Sequence, residues 1–296
     1  MHTLTRRRAA ALLTALGGFA VLKSAGAEAA MATTEYWPLW SVEGNGGRVY
    51  LLAHTYPLEN SWHNEQIEAL VPQCAAVWSE TNSIRTANYQ KIVTQNAFDT
   101  SARLMARLDP TDQERVRTAA KLALVKLDDI APLRPWAAAS MIEEAYYDAM
   151  HLSRQGPQQV LVAKAVALGV ATPCEFPDLD TNMQFLGGFT PTQDVQYLRY
   201  TMDHLLMGLP ENQRMCCDFG RGDFKLAEQF MAHFKSAYAE LFAKAVFGRN
   251  TAWVVRFQTM LQTPKPSMVV LGFFHLVGPD NVREQLQKAG LTVRRV

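Results

Sequence analysis

Ser267-Met268-Val269-Val270-Leu271-Gly272-Phe273-Phe274-His275-Leu276-Val277-Gly278-Pro279-Asp280 is the stretch whose reading decides the fold. A continuous apolar run of strand length stops at Gly272, and a histidine emerges three positions later, where a strand buried on both faces gives way to a loop. Open α/β sheets carry their chemistry at such strand ends. Gly278 and Pro279 suit the N-cap and first turn of a following helix, Val282, Leu286 and Ala289 give it one apolar stripe, and Gly290 stops it. Thr292-Val293-Arg294-Arg295-Val296 then reads as a closing strand.

Upstream, residues 49–53 and 75–79 read as buried strands and residues 62–71 as the helix between them, a βαβ unit whose crossover makes the strands parallel and right-handed. Helical patterns follow over 114–124, over 135–150 with Pro135 at the start, and over 158–168 up to Gly169. Residues 171–176 read as a further strand that delivers Glu175, and 192–257 as almost wholly helical. The expected fold class is α/β (α+β). A mixed, largely parallel central sheet with strands near 40, 50, 77, 173, 270 and 293 is flanked by helices, with large helical insertions over about 82–168 and 192–262.

The first 29 residues follow the order of a secretory signal. Arg6-Arg7-Arg8 precede an apolar stretch from Ala9 to Leu22, and small residues follow at Ala25-Gly26-Ala27 and Ala27-Glu28-Ala29. The stretch is shorter than the roughly 20 residues a membrane span needs, so no stable span is expected after cleavage. Thr5-Arg6-Arg7 also resembles a twin-arginine signal without the usual Phe-Leu, which leaves the Sec and Tat routes open. The mature chain is expected in the periplasm or outside the cell. Without Arg6, Arg7, Arg8 and Lys23 the formal charge of +1 becomes mildly acidic, and no Lys/Arg cluster interleaved with aromatics points to nucleic acid. Residues 30–296 show no Pro/Gly/Ser-rich linker and no internal repeat, and read as a single domain. Cys74, Cys174, Cys216 and Cys217 match no zinc spacing; disulfides in an oxidising compartment and unpaired thiols both remain open.

The G-x-x-H of Gly272–His275 followed by Leu-Val-Gly-Pro-Asp resembles the C-terminal signature of the TraB/GumN family, to which the Tiki metalloproteases belong. Pro38-Leu39-Trp40-Ser41-Val42-Glu43 with Gly46-Gly47-Arg48-Val49-Tyr50-Leu51-Leu52 resembles its opening β-hairpin. Ala76-Val77-Trp78-Ser79-Glu80 resembles its second strand, which ends in an acidic residue. Arg134-Pro135-Trp136, Gly222-Asp223 and Arg249-Asn250 with Trp253 recur in the family's order, so that the resemblance runs from 38 to 296. It implies a fold related to erythromycin esterase and the haem-binding ChaN proteins. The family's first strand ends in a second G-x-x-H. Here Ala53-His54-Thr55-Tyr56 stands instead, with alanine for glycine and tyrosine for histidine.

Four strand ends therefore offer polar groups to one sheet edge: His54 with Tyr56, Glu80, Glu175 and His275. A hydrolytic metal site wants about three His, Asp or Glu ligands and an open position for water, and His275, Glu80, Glu175 and His54 are the candidates for zinc, manganese or cobalt. Glu80 and His275 carry over from the family motif; the family's acidic residue near Glu175 aligns equally with Asp178 or Asp180. His54 and Tyr56, two apart on a strand, are expected to line one wall. Glu80 has a second reading, as a helix cap or as the partner of Arg249. Arg249 either bonds a site carboxylate or holds a substrate carboxylate or oxyanion. His275 has a second reading as a core histidine, and Trp136 and Trp253 read as core. No G-x-S-x-G, Rossmann or Walker pattern is present.

The functional expectation is an exported, metal-dependent hydrolase of peptide or ester bonds with a degenerate site, in which Glu80, His275, Tyr56 and Arg249 act on a peptide or small-molecule substrate. Because a phenol is a poor ligand beside the imidazole it replaces, a divalent ion is expected to bind weakly or not at all. The alternative is a non-catalytic periplasmic binding protein for a peptide, a glycan or haem, the last through Tyr56 or His275.

Overall fold

The computed structural model describes residues 37–296, so the expected signal over residues 1–29 lies outside the described residues. The described chain divides into two compact units. One comprises residues 37–80, Ser153–Glu175 and Pro210–Val296, and the other Thr81–Leu152 and Phe176–Leu209.

The first unit contains a five-stranded mixed sheet. Strands β1 (Leu39–Gly44) and β2 (Gly47–His54) form an antiparallel hairpin. Its two turn residues, Asn45 (φ 52°) and Gly46 (φ 81°), both lie in the left-handed region, which gives a two-residue turn the twist that paired strands need. β3 (Ala76–Ser79), β4 (Ser267–Gly272) and β5 (Thr292–Arg295) complete the order β3-β4-β2-β1-β5. β4 is parallel to both β2 and β3, and β1 is antiparallel to β2 and β5. Met268, Val269, Val270 and Leu271 are fully buried, as a central parallel strand requires. The helix Pro157–Ala167 packs on β2, β3 and β4, while Gly248–Met260 packs on β2 and on the helix Val282–Lys288. The α+β fold expected from the sequence is therefore present.

Several local expectations are corrected. Residues 171–176 do not become a strand, although their backbone runs parallel to β3 through bridges Ala76↔Ala171 and Ser79↔Cys174. The N–H groups of Val77 and Ser79 donate to the carbonyls of Ala171 and Pro173, and that of Glu175 donates to Ser79. The ladder now needs a donor at residue 173, and proline has none. The helix placed over 62–71 shrinks to Glu65–Glu68 plus a 3-10 turn at Val71–Gln73, and β2 and β3 are parallel but separated by β4. The last helix is capped by Asn281, whose side chain accepts from Glu284 N–H, and not by Gly278. Cys74, Cys174, Cys216 and Cys217 form no disulfide with one another.

In the second unit the helices Tyr89–Ala97 and Leu179–Gly187 pack together, as do Pro135–Ala149 and Pro191–Met207. Arg134 fastens this unit. It grips Asp194 with two bonds (Nε–Oδ2 2.8 Å, Nη2–Oδ1 2.9 Å) and donates to the carbonyls of Asn96, Gly187 and Phe189. The Arg-Pro-Trp motif is thus architectural here: Arg134 is the buckle, Pro135 opens the helix, and Trp136 is fully buried.

A Cβ placed on Gly47 would stand 2.3 Å from the backbone carbonyl oxygen of Leu261. Gly47→Ala is expected to lower unfolding stability by about 1–3 kcal/mol, read from the urea midpoint. An unchanged midpoint would mean that the hairpin and the Leu261 turn separate at little cost.

Candidate functional site

The parallel strands bring their C-terminal ends into register. His54 lies opposite Gly272 and Ser79 opposite Val270, so Glu80 falls level with Leu271, one residue short of Gly272. The Gly272 N–H donates to Glu80 Oε1 at 2.5 Å. A 3-10 turn, Phe273–His275, then folds the chain back and buries His275 completely. Its Nε2 stands 3.6 Å from Glu80 Oε2, and His54 Nε2 stands 3.7 Å from Glu80 Oε1. His275 and Glu80 therefore meet at the sheet edge, as their strand positions imply.

Arg249 occupies the middle of the cluster. It enters at the start of the helix Gly248–Met260, directly after a π-helical turn at Ala243–Phe247. Such turns insert one extra residue per turn and often mark functional positions. Nη2 donates to Glu80 Oε2 (2.6 Å) and Glu175 Oε2 (2.5 Å), Nε to Glu175 (3.1 and 3.2 Å), and Nη1 to His275 Nε2 (3.3 Å) and to the Ala245 carbonyl (3.5 Å). Its guanidinium also lies over Trp253, 4.8 Å from the ring centre. The N–H groups are thus taken up by the protein. Of the two readings of Arg249, the geometry places it on the site carboxylates, with no donor left for an oxyanion.

The protonation pattern follows. Burial alone would raise the Glu80 carboxyl, but the Arg249 charge beside it outweighs that and holds Glu80 well below the usual carboxylate range. Burial lowers His275 from 6.5 to about 4; Glu80 opposes that only in part, and Arg249 reinforces it. The imidazole is neutral, and its tautomer is fixed by its neighbours. Asn250 Nδ2 donates to the Asp280 carbonyl, leaving Oδ1 to accept from His275 Nδ1 at 2.7 Å. Because a guanidinium can only donate, Nε2 carries the lone pair. For Arg249 burial would lower the guanidinium, and Glu80 and Glu175 more than compensate.

Asn250, and Trp253, which the sequence reads as core, are thus walls of the site. Asn250 sets the His275 tautomer, and Trp253 packs on that imidazole with ring centres 4.4 Å apart. The signal for Trp253 was its spacing, four residues from Arg249 and three from Asn250 along one helix. Glu175 reaches the cluster, whereas Asp178 caps the helix Leu179–Gly187 and Asp180 accepts from Thr86. Tyr56 lies beyond the end of β2, so strand alternation does not pair it with His54; its ring packs edge-on against Phe273 at 5.4 Å. The side chain of His54 is 30% exposed, against 9% for Glu80, 12% for Arg249 and 0% for His275, which makes it the accessible base of the group.

A divalent metal does not fit this arrangement. The oxygen of Glu80 nearest His275, both oxygens of Glu175 and the free lone pair of His275 all receive N–H bonds from Arg249, which already supplies the cation. No group of three or more His, Cys, Asp or Glu suited to a metal ion occurs among the described residues. A porphyrin fares no better at His275, whose ring is enclosed by Trp253 at 4.4 Å and Phe274 at 4.5 Å.

Fold and site together define an α+β protein with a buried Glu-Arg-His centre at the C-terminal ends of its parallel strands. The sequence model of the TraB/PrgY/gumN family matches residues 38–295, and the chain belongs to that family. No curated protein and no solved structure matches it.

Two outcomes are expected of the centre. Asn250→Ala leaves the buried Nδ1–H of His275 without its acceptor and should cost about 1–3 kcal/mol in urea unfolding. Acid should also destabilise the fold. Because His275 is depressed in the folded state, its contribution is intact above pH 6.5 and declines towards about pH 4, as the unfolded chain takes up a proton that the folded one refuses. His275→Gln should flatten that part of the stability profile; an unaltered slope would place the proton uptake elsewhere.

Proposed function

We propose that the protein is an exported hydrolase of ester or peptide bonds that works without a bound metal, with His54 as the general base and Glu80 as the carboxylate that orients it. The observation that carries this reading is the position of His54. It is the part-exposed imidazole beside a more deeply buried, fully partnered cluster, with Nε2 3.7 Å from Glu80 Oε1. A carboxylate behind an imidazole fixes its tautomer and steadies the charge it gains when it takes a proton from water. Glu80 is suited to that part because Arg249 and the Gly272 N–H keep it ionised and still. His275 and Asn250 complete the frame from behind and take no proton in this scheme. The N-terminal pattern of basic, apolar and small residues supports delivery to the periplasm or beyond. No helix among the described residues is long and apolar enough to cross a membrane.

A binding role without turnover is the second reading. It is favoured by the extent to which Arg249 saturates both carboxylates and leaves only His54 available for chemistry. Hydrolysis of p-nitrophenyl butyrate and of fluorogenic casein, each with and without a chelator, separates the two. Chelator-resistant turnover that falls roughly 10²–10⁴-fold in His54→Ala is expected of the hydrolase. Turnover that depends on added zinc, or that survives His54→Ala, would overturn the assignment, and no turnover of either substrate would leave the binding role.

Export is tested separately, by N-terminal sequencing of the protein recovered from its native host. A terminus at or just after Glu28 is expected, whereas an intact Met1 in the cytoplasmic fraction would refute export.

A further inference from the structure

A second cluster of guanidinium groups lies away from the Glu-Arg-His centre. Arg283, in the helix Val282–Lys288, and Arg295, at the end of β5, both place their guanidinium carbons 5.8 Å from the centre of the Phe224 ring. Arg283 also covers Trp40 at 4.7 Å and donates from Nε to the Leu276 carbonyl at 2.6 Å. Neither guanidinium makes an ion pair among the described residues. Two like charges are therefore held against one ring with no carboxylate in contact, an arrangement that self-repulsion opposes.

The surroundings are built to hold them there. Gly222, at φ 85°, leaves the space that the Arg295 guanidinium fills, since a Cβ would stand 2.2 Å from its Nη2. A concavity of about 280 Å³ opens in front of the pair, lined also by Trp40, Asn281 and Gln287. One carboxylate, Glu284, is on the lining, but its Oε1 accepts from Asn281 Nδ2 at 2.9 Å. Glu228 and Glu284 act on Arg283 only through the longer-range field. Burial and the proximity of Arg295 make the Arg283 charge less comfortable than an ordinary surface arginine, and the two glutamates offset that only in part.

We propose that this concavity is a binding site for a phosphate group, with Arg283 and Arg295 as its two cationic arms. A dianion matches two charges, and the planar fork of each guanidinium can donate two parallel N–H bonds to phosphate oxygens. The volume exceeds that of phosphate alone, so the group belongs to a larger soluble molecule or to a lipid headgroup. The site is independent of the hydrolytic reading.

The test is isothermal titration of the full chain with inorganic phosphate at constant ionic strength, with chloride as the control. It is accompanied by cosedimentation with phosphatidic acid vesicles and with phosphatidylcholine vesicles. Saturable binding of one phosphate is expected, weakened roughly tenfold in Arg295→Gln and lost in the Arg283→Gln/Arg295→Gln pair. Arg295 is exposed on an edge strand, so that single variant is expected to fold, with circular dichroism as the check. Retention on the phosphatidic acid vesicles points to a headgroup, and phosphate binding without it to a soluble phosphorylated ligand. Phosphate heats equal to those of chloride, or an affinity unchanged in folded Arg295→Gln, would overturn the proposal.

Discussion

The first unit is organised around one largely enclosed cation, Arg249. A guanidinium that loses most of its water must recover that solvation from carboxylates and carbonyls, or the fold forfeits several kcal/mol. Arg249 recovers it from Glu80 at the end of β3, Glu175 on the neighbouring segment, and the Ala245 carbonyl on its own helix. These groups lie far apart in sequence and meet only when the sheet has its native register. Deleting one partner of such a pair is expected to cost more than the pair itself contributes, because it strands the other charge. The motif is thus a geometric lock as much as a chemical group.

The same lock defines what His275 can be. With Arg249 donating to Nε2 and Asn250 accepting from Nδ1, the imidazole has no free position and no solvent contact. It serves as a neutral spacer between a helix and the sheet. The histidine on the accessible side of the same carboxylate is His54, which stands at a variable position inside the altered first motif.

Much of this was legible in the sequence because parallel strands share a chemical end. An apolar run that stops at a glycine and is followed by His275, and another that stops at Glu80, had to meet if both belonged to the same sheet. What could not be read was the filling between them. Arg249 is 169 residues from Glu80, and the π turn that aims it leaves no periodic trace. The loss of the strand at 171–176 was written in Pro173, but its apolar neighbours spoke for a strand, and only the phase of the ladder shows that this residue must donate. At the last helix Gly278-Pro279 imitated a start signal, while Asn281, three residues on, made the actual cap. The alternation argument does not reach Tyr56, because it holds only while the strand lasts and β2 ends two residues before it.

The position of β4 has a consequence for how the molecule comes into being. The centre of the sheet is supplied by β4, which pairs with β2 and β3 across roughly two hundred intervening residues, each closure carrying the entropic cost of a long loop. Until residue 272 has been synthesised, β2 and β3 have unsatisfied edges facing the gap that β4 will fill. Contacts of this range make for slow folding. The nascent chain therefore carries two open, apolar strand edges while the residues between β3 and β4 are being made, which is the interval in which it most needs a chaperone.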